Sequence, residues 1–190
     1  MRAKHILSTT AVVLALGATS AFATSVAEQS VEVDGSFTFQ HTSVDIDNFG
    51  DYGVTVFNVN ALLGYFFNPQ MELLGGLLID HQSIDDFSTT GLGLKVAGRY
   101  HFAVTGNVLP YAGLGLAVVS HGGDGDNDDA EFVFPEIAGG IRFPFKDVAS
   151  VNVEVGYRHS SNPFGIDDSS GDEFYIGAGF SLFLRGGFTQ

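Results

Sequence analysis

The chain has 190 residues, of which 45% are hydrophobic and 13% aromatic; it has no cysteine and a formal net charge of −14 at pH 7. The missing cysteines exclude a disulfide scaffold, a thiol nucleophile and a lipid-modified cysteine, and the acidic balance excludes a nucleic-acid surface. The apolar and aromatic residues are too frequent and too regularly spaced for a disordered chain.

The N-terminus carries Arg2 and Lys4, then an apolar stretch too short to cross a bilayer, then Ala21-Phe22-Ala23. That order of basic, apolar and small residues is the pattern of a secretory signal peptide over residues 1–23, with cleavage expected after Ala23. Loss of Arg2 and Lys4 takes the formal charge from −14 to −16. Residues 24–190 then form one exported domain. No later apolar run reaches the length of a membrane helix.

From residue 31 onward the chain alternates with a period of two, the mark of strands with one apolar face. The first predicted strand, in "SVEVDGSFTFQH", sets Val31, Val33, Phe37 and Phe39 against Glu32, Asp34, Ser36, Thr38 and Gln40. A second near 53–66 has Phe57, Val59, Ala61, Leu63 and Tyr65 on one face, and a third near 71–81 has Met71, Leu73, Leu77 and Ile79. A fourth near 91–102 sets Leu92, Leu94, Val96, Tyr100 and Phe102 against Lys95, Arg99 and His101. The fifth, near 109–119, carries Ala112, Leu114, Leu116 and Val118; the sixth, near 132–143, carries Val133, Ile137, Ile141 and Phe143. The seventh is near 150–161, with Val151, Val153, Val155 and Tyr157, and the eighth near 174–184, with Phe174, Ile176, Ala178, Phe180, Leu182 and Leu184.

Eight strands, joined alternately by short turns and longer acidic loops, predict an all-β fold, an antiparallel transmembrane β-barrel with both ends on the periplasmic side. A soluble β-sandwich would alternate as well. The polar face, however, holds Glu32, Asp34, Glu72, Lys95, Arg99, Glu136, Arg142, Glu154 and Arg158 at mid-strand. Charges of both signs suit the packed, ion-paired interior of a small barrel, and Gly91, Gly93, Gly113, Gly115, Gly177 and Gly179 on that face suit its narrowness.

"GYFFNPQMELLGG", "GRYHFAV" with "LPYAGLGLA", and "EIAGGIRFPF" with "VEVGYRH" resemble the small outer-membrane β-barrel domain family over nearly the whole mature chain. The resemblance implies residence in the outer membrane of a Gram-negative-type bacterium, among outer-membrane lipids and lipopolysaccharide. It also implies contact with the barrel-assembly machinery, which reads an aromatic residue at the end of the last strand; Phe188 stands two residues from the end.

In the seventh segment His159 and Ser161 continue the apolar face at the strand's outer end, where residues i and i+2 bring an imidazole near a hydroxyl. The local string His159-Ser160-Ser161-Asn162, followed by Gly171-Asp172-Glu173, is similar to the lipid A 3-O-deacylase family of acyloxyacyl hydrolases. The similarity implies that Ser161 is the nucleophile, His159 its general base, Glu173 the group orienting the imidazole, and Asn162 a contributor to oxyanion stabilisation. Strand parity turns Glu173 inward and Asp172 outward, which makes Asp172 the substitute third member.

Other features are plainer. The acidic stretch from Asp124 to Glu131 lacks the spacing of an EF-hand and is expected to be a solvated loop. His41 and His81 are expected near outer strand ends, His101 inside the barrel and His121 in a loop, with no metal-ligand spacing. The glycine-rich strings precede no helix, so no nucleotide or other cofactor is expected. Two function classes stay open: a lipid A acyl-ester hydrolase, and a noncatalytic barrel serving adhesion or envelope integrity. A small-solute conduit is a third.

Overall fold

A computed structural model describes residues 24–46, 50–84, 87–103, 106–122, 130–161 and 170–189. The signal-peptide region and Asn162 lie outside the described residues. Ten strands follow in chain order: β1 (Ser25–Val26), β2 (Val31–Ile46), β3 (Gly50–Asn68), β4 (Met71–Ile84), β5 (Phe87–His101), β6 (Leu109–Gly122), β7 (Ala130–Lys146), β8 (Ala149–Ser161), β9 (Ser170–Arg185) and β10 (Phe188–Thr189). Strands β2 to β9 pair antiparallel with their chain neighbours, and β2 pairs with β9 to close the barrel.

The barrel strands run from 13 to 19 residues. A tilted strand crosses a bilayer in about 9–11 residues, so these strands stand clear of it at one end. Two stretches expected to be long loops are therefore mostly hairpin: β2 and β3 pair as far as Ile46 and Gly50, and β4 and β5 as far as Ile84 and Phe87. In water both faces of a strand are wet, and the apolar alternation that marks the membrane part stops there.

The outer surface is an apolar belt that includes Leu63, Leu77, Leu94, Leu114, Val155 and Leu184. Aromatic pairs edge it: Tyr65 with Phe67 and Tyr100 with Phe102 at the short-turn end, Phe132 with Phe134 and Tyr157 with Phe174 at the other. Such girdles mark the two interfaces of a membrane barrel.

Charges fill the lumen. Arg142, fully buried, donates from Nη1 and Nη2 to the two carboxylate oxygens of Glu32 at 2.8 and 2.9 Å. Arg99 stands 3.2 Å from Asp34 and 3.4 Å from Glu154, and Lys95 reaches Glu136 at 2.5 Å. Tyr111 and Tyr175 lie over Gly140 and Gly156 of the neighbouring strands, where a Cβ would collide with either ring. Both hydroxyls donate to Glu154, at 2.9 and 3.1 Å. A cavity of about 10 Å³ remains beside Lys95, Glu136 and Arg158, roughly the space one water needs. Side chains thus fill the described part of the lumen, as is usual for eight strands.

Sequence periodicity missed two features. First, β1 and β10 form a two-stranded sheet across the short-turn end, where Val26 packs with Phe66, Leu109 and Phe183. Gly186 and Gly187, at φ of 78° and 134°, turn the chain under the barrel. Phe188 therefore meets Phe183, with ring centroids 4.9 Å apart, instead of joining the outer belt. Second, Val133, expected to face lipid, is buried with Leu78, Ala117 and Val119. Register shifts on both sides of β7 leave Phe134 and Pro135 without ladder partners, so odd positions face inward before the bulge and even positions after it.

Arg142→Ala should lower the unfolding free energy of the detergent-folded barrel by about 3–5 kcal/mol, because it leaves buried carboxylates unpaired. Glu28→Ala, at an exposed position before β2, should change it by less than about 0.5 kcal/mol. Urea titration read by gel mobility checks this, and equal effects would contradict the ion-paired lumen.

Candidate functional site

Strand β8 presents Val151, Val153, Val155, Tyr157, His159 and Ser161 outward, and Asn152, Arg158 and Ser160 are buried inward. The β8–β9 ladder runs without a break and sets His159 opposite Asp172, and Arg158 opposite Glu173. One step of register therefore decides which acid meets the imidazole. His159 Nδ1 lies 2.7 Å from Asp172 Oδ1. Tyr157 Oη donates to that same oxygen at 2.7 Å, although the sequence marked Tyr157 only as a belt residue.

Glu173, the acid implied by the resemblance, points into the lumen, where Arg158 Nε donates to it. It cannot orient His159. Ser160 is fully buried, and its hydroxyl has no hydrogen-bond partner among the described residues. Ser161 Oγ donates to the Phe132 carbonyl at 3.3 Å.

The β7 bulge lies directly beside the site. Val133 pairs with Ser160 and Glu136 with Arg158, so Phe134 and Pro135 together stand opposite His159. Proline has no N–H to give to a ladder and sits in strands at edges or bulges. Pro135 within "FVFPEI" was thus the available signal. Its effect is to turn both Phe132 and Phe134 outward, next to Ser161.

Chemically, a carboxylate at Nδ1 favours the tautomer with its proton there and leaves the Nε2 lone pair available as a base. The His159 and Asp172 side chains are 40% and 65% exposed, so they are open to molecules arriving from outside the barrel. His121, expected in a loop, belongs to β6 and is buried in the lumen 2.8 Å from Glu131. Residues able to hold a metal ion stand there, apart from His159.

Nitrogen NMR of the detergent-folded protein should show His159 protonated at Nδ1. Asp172→Asn should redistribute the two tautomers, and Glu173→Gln should leave them unchanged. The reverse response would mean that Glu173 holds the ring.

Among curated proteins nothing matches the chain. Solved structures similar to it include the N-terminal β-barrel domain of Pseudomonas aeruginosa OprF, at 17% identity and a TM-score of 0.50, covering 83% of this chain and 98% of that one. Neisserial surface protein A matches at 16% identity and a TM-score of 0.49, over 80% and 95% of the two chains. The outer membrane enzyme PagL matches at 13% identity and a TM-score of 0.43, over 80% and 98%. At such identities the likeness is one of fold alone. The model of the outer membrane protein beta-barrel domain matches residues 9–181. With the closed eight-stranded barrel, that match makes the chain a member of the outer membrane protein beta-barrel domain family, resident in the outer membrane of a Gram-negative-type bacterium.

Proposed function

We propose that this outer-membrane barrel hydrolyses an acyl ester of lipid A at a site on its outer wall. The observation that carries the reading is the 2.7 Å pairing of His159 Nδ1 with Asp172 Oδ1, two residues from Ser161 on the same face. In this reading Ser161 Oγ attacks the ester carbonyl carbon while His159 Nε2 takes its proton. The tetrahedral intermediate collapses, and the departing sugar oxygen recovers that proton. Water then repeats the sequence on the acyl-serine and releases a fatty acid. Asp172, steadied by Tyr157, orients the ring and stabilises its cationic form; Asn162 supplies an oxyanion donor.

The attack requires the Ser161 hydroxyl to leave the Phe132 carbonyl and approach His159 Nε2. Catalytic hydrogen bonds commonly tighten only when substrate is bound. The aromatic pairs around the site, Phe132 with Phe134 and Tyr157 with Phe174, suit an acyl chain lying along the wall. The noncatalytic alternative rests on the same Ser161–Phe132 bond, taken as the hydroxyl's permanent partner.

Fatty-acid release from lipopolysaccharide-containing membranes separates the two. Ser161→Ala and His159→Ala should each lower the rate at least about a thousandfold while the barrel keeps its heat-sensitive gel mobility. Asp172→Ala should lower it at least about tenfold; Ser160→Ala and Glu173→Gln should stay near wild type. If wild-type protein releases no fatty acid, or Ser161→Ala releases it at the wild-type rate, the noncatalytic reading stands.

A further inference from the structure

We propose that Asp80, His121 and Glu131, with Gln82, form a binding site for a divalent first-row ion, zinc foremost, inside the outer half of the lumen. The residues come from three strands, Asp80 and Gln82 from β4, His121 from β6 and Glu131 from β7, with β5 standing between β4 and β6 in the wall. All four are at most 5% exposed. One potential ligand atom each from Asp80, His121 and Glu131 lies within 4.8 Å of the other two. The site is independent of the outer-wall chemistry at His159.

Charge is the first reason. Arg158 is the guanidinium of this half of the lumen: its Nη2 lies 3.7 Å from Asp80 while its Nε serves Glu173, and Glu131 meets no guanidinium directly but contacts His121 and Gln82. Lys95 is engaged by Glu136. With the His121 ring neutral, Asp80, Glu131 and Glu173 around one guanidinium in a poorly solvated interior leave two negative charges uncompensated, and burial makes that costly. A divalent ion supplies the missing charge.

The second reason is a buried amide with one end unused. Gln82 Nε2 donates to Asp80 Oδ2 at 2.5 Å and to Glu131 Oε2 at 3.1 Å, so the amide bridges the two carboxylates. Its Oε1 has no hydrogen-bond partner among the described residues. A half-turn of the amide puts Oε1 where Nε2 now lies, facing the space between the acids. There a donor bridges carboxylates without a cation, and an acceptor ligates the cation when present.

The third reason is the donor set. One imidazole nitrogen, two carboxylates and an amide oxygen match zinc, whereas calcium takes about 6–8 oxygens. Tetrahedral bonds of about 2.05 Å place ligand atoms about 3.3 Å apart. The 2.8 Å contact of His121 Nε2 with Glu131 Oε2 would open slightly, and the wider separations would close.

The test titrates zinc chloride into the chelator-stripped full chain, folded in detergent, by calorimetry. One equivalent should bind. His121→Ala and Glu131→Gln should each weaken binding tenfold or more. Gln82→Leu should weaken it by less, and His81→Ala, on the outer wall beside Thr90, should leave it unchanged. Because an inward substitution can unfold the barrel, wild-type protein is also titrated with manganese and followed by NMR, where Gln82 and His121 signals should broaden first. No saturable zinc binding, equal weakening by His81→Ala, or earliest broadening in residues 124–129 would overturn the site.

Discussion

A peptide N–H or C=O left unpaired in hydrocarbon costs several kcal/mol, so a sheet in a bilayer must have no edge. In this chain the demand falls on the pairing of β2 with β9, the longest-range ladder in the barrel. Once that seam is closed, every barrel side chain belongs to one of two environments, and which one is a matter of parity. His159 lies on the lipid wall because Arg158 is in the lumen, and Asp172 meets it because Glu173 meets Arg158. The pairing of His159 with Asp172 is thus a by-product of strand register.

Closure with eight strands also leaves a lumen only as wide as its own side chains. Such an interior can hold charge only if the charges answer one another. Near the lid they do so densely: Arg142 grips Glu32, Arg99 lies between Asp34 and Glu154, and the Tyr111 ring stacks on Arg99 with its centroid 4.8 Å away. Carboxylates outnumber guanidinium groups at both ends: Arg99 and Arg142 serve Glu32, Asp34, Glu72 and Glu154 near the lid, and Arg158 serves Asp80 and Glu173 toward the outer mouth. The ends differ in how the acids are held, by bidentate and stacked guanidinium groups at the lid and by the Gln82 amide and the His121 ring at the mouth.

Much of this was legible in the sequence because a lipid face and a packed lumen are the two sides of one alternation. The outward residues of β3, β4, β5, β6 and β9 fall where their apolar periodicity put them. Reading failed where alternation carries no information. Val133 landed on the wrong face because Phe134 and Pro135 reset the count within β7. His121 looked like a loop residue because its strand continues beyond the apolar belt, where polar residues no longer report a face. The lid of β1 and β10 was invisible because two-residue strands have no period at all. The site itself was half legible: parity separated Asp172 from Glu173, but the hydroxyl of Tyr157 on Asp172 depends on reach across to β9, which spacing along one strand does not express.

The lid has a consequence for how the chain could be rewired. Ser25 pairs with Thr189, and Ala27 donates its N–H to the Gly187 carbonyl at 2.9 Å, so the first and last described residues already lie side by side as neighbouring strands. Joining them needs no more than the span of a tight hairpin. Residues 25–189 are close to a topological circle, and with those ends joined the backbone could be reopened at an outer hairpin with the same ring of pairings preserved. The order in which strands leave the ribosome is then separable from the order in which they stand in the wall.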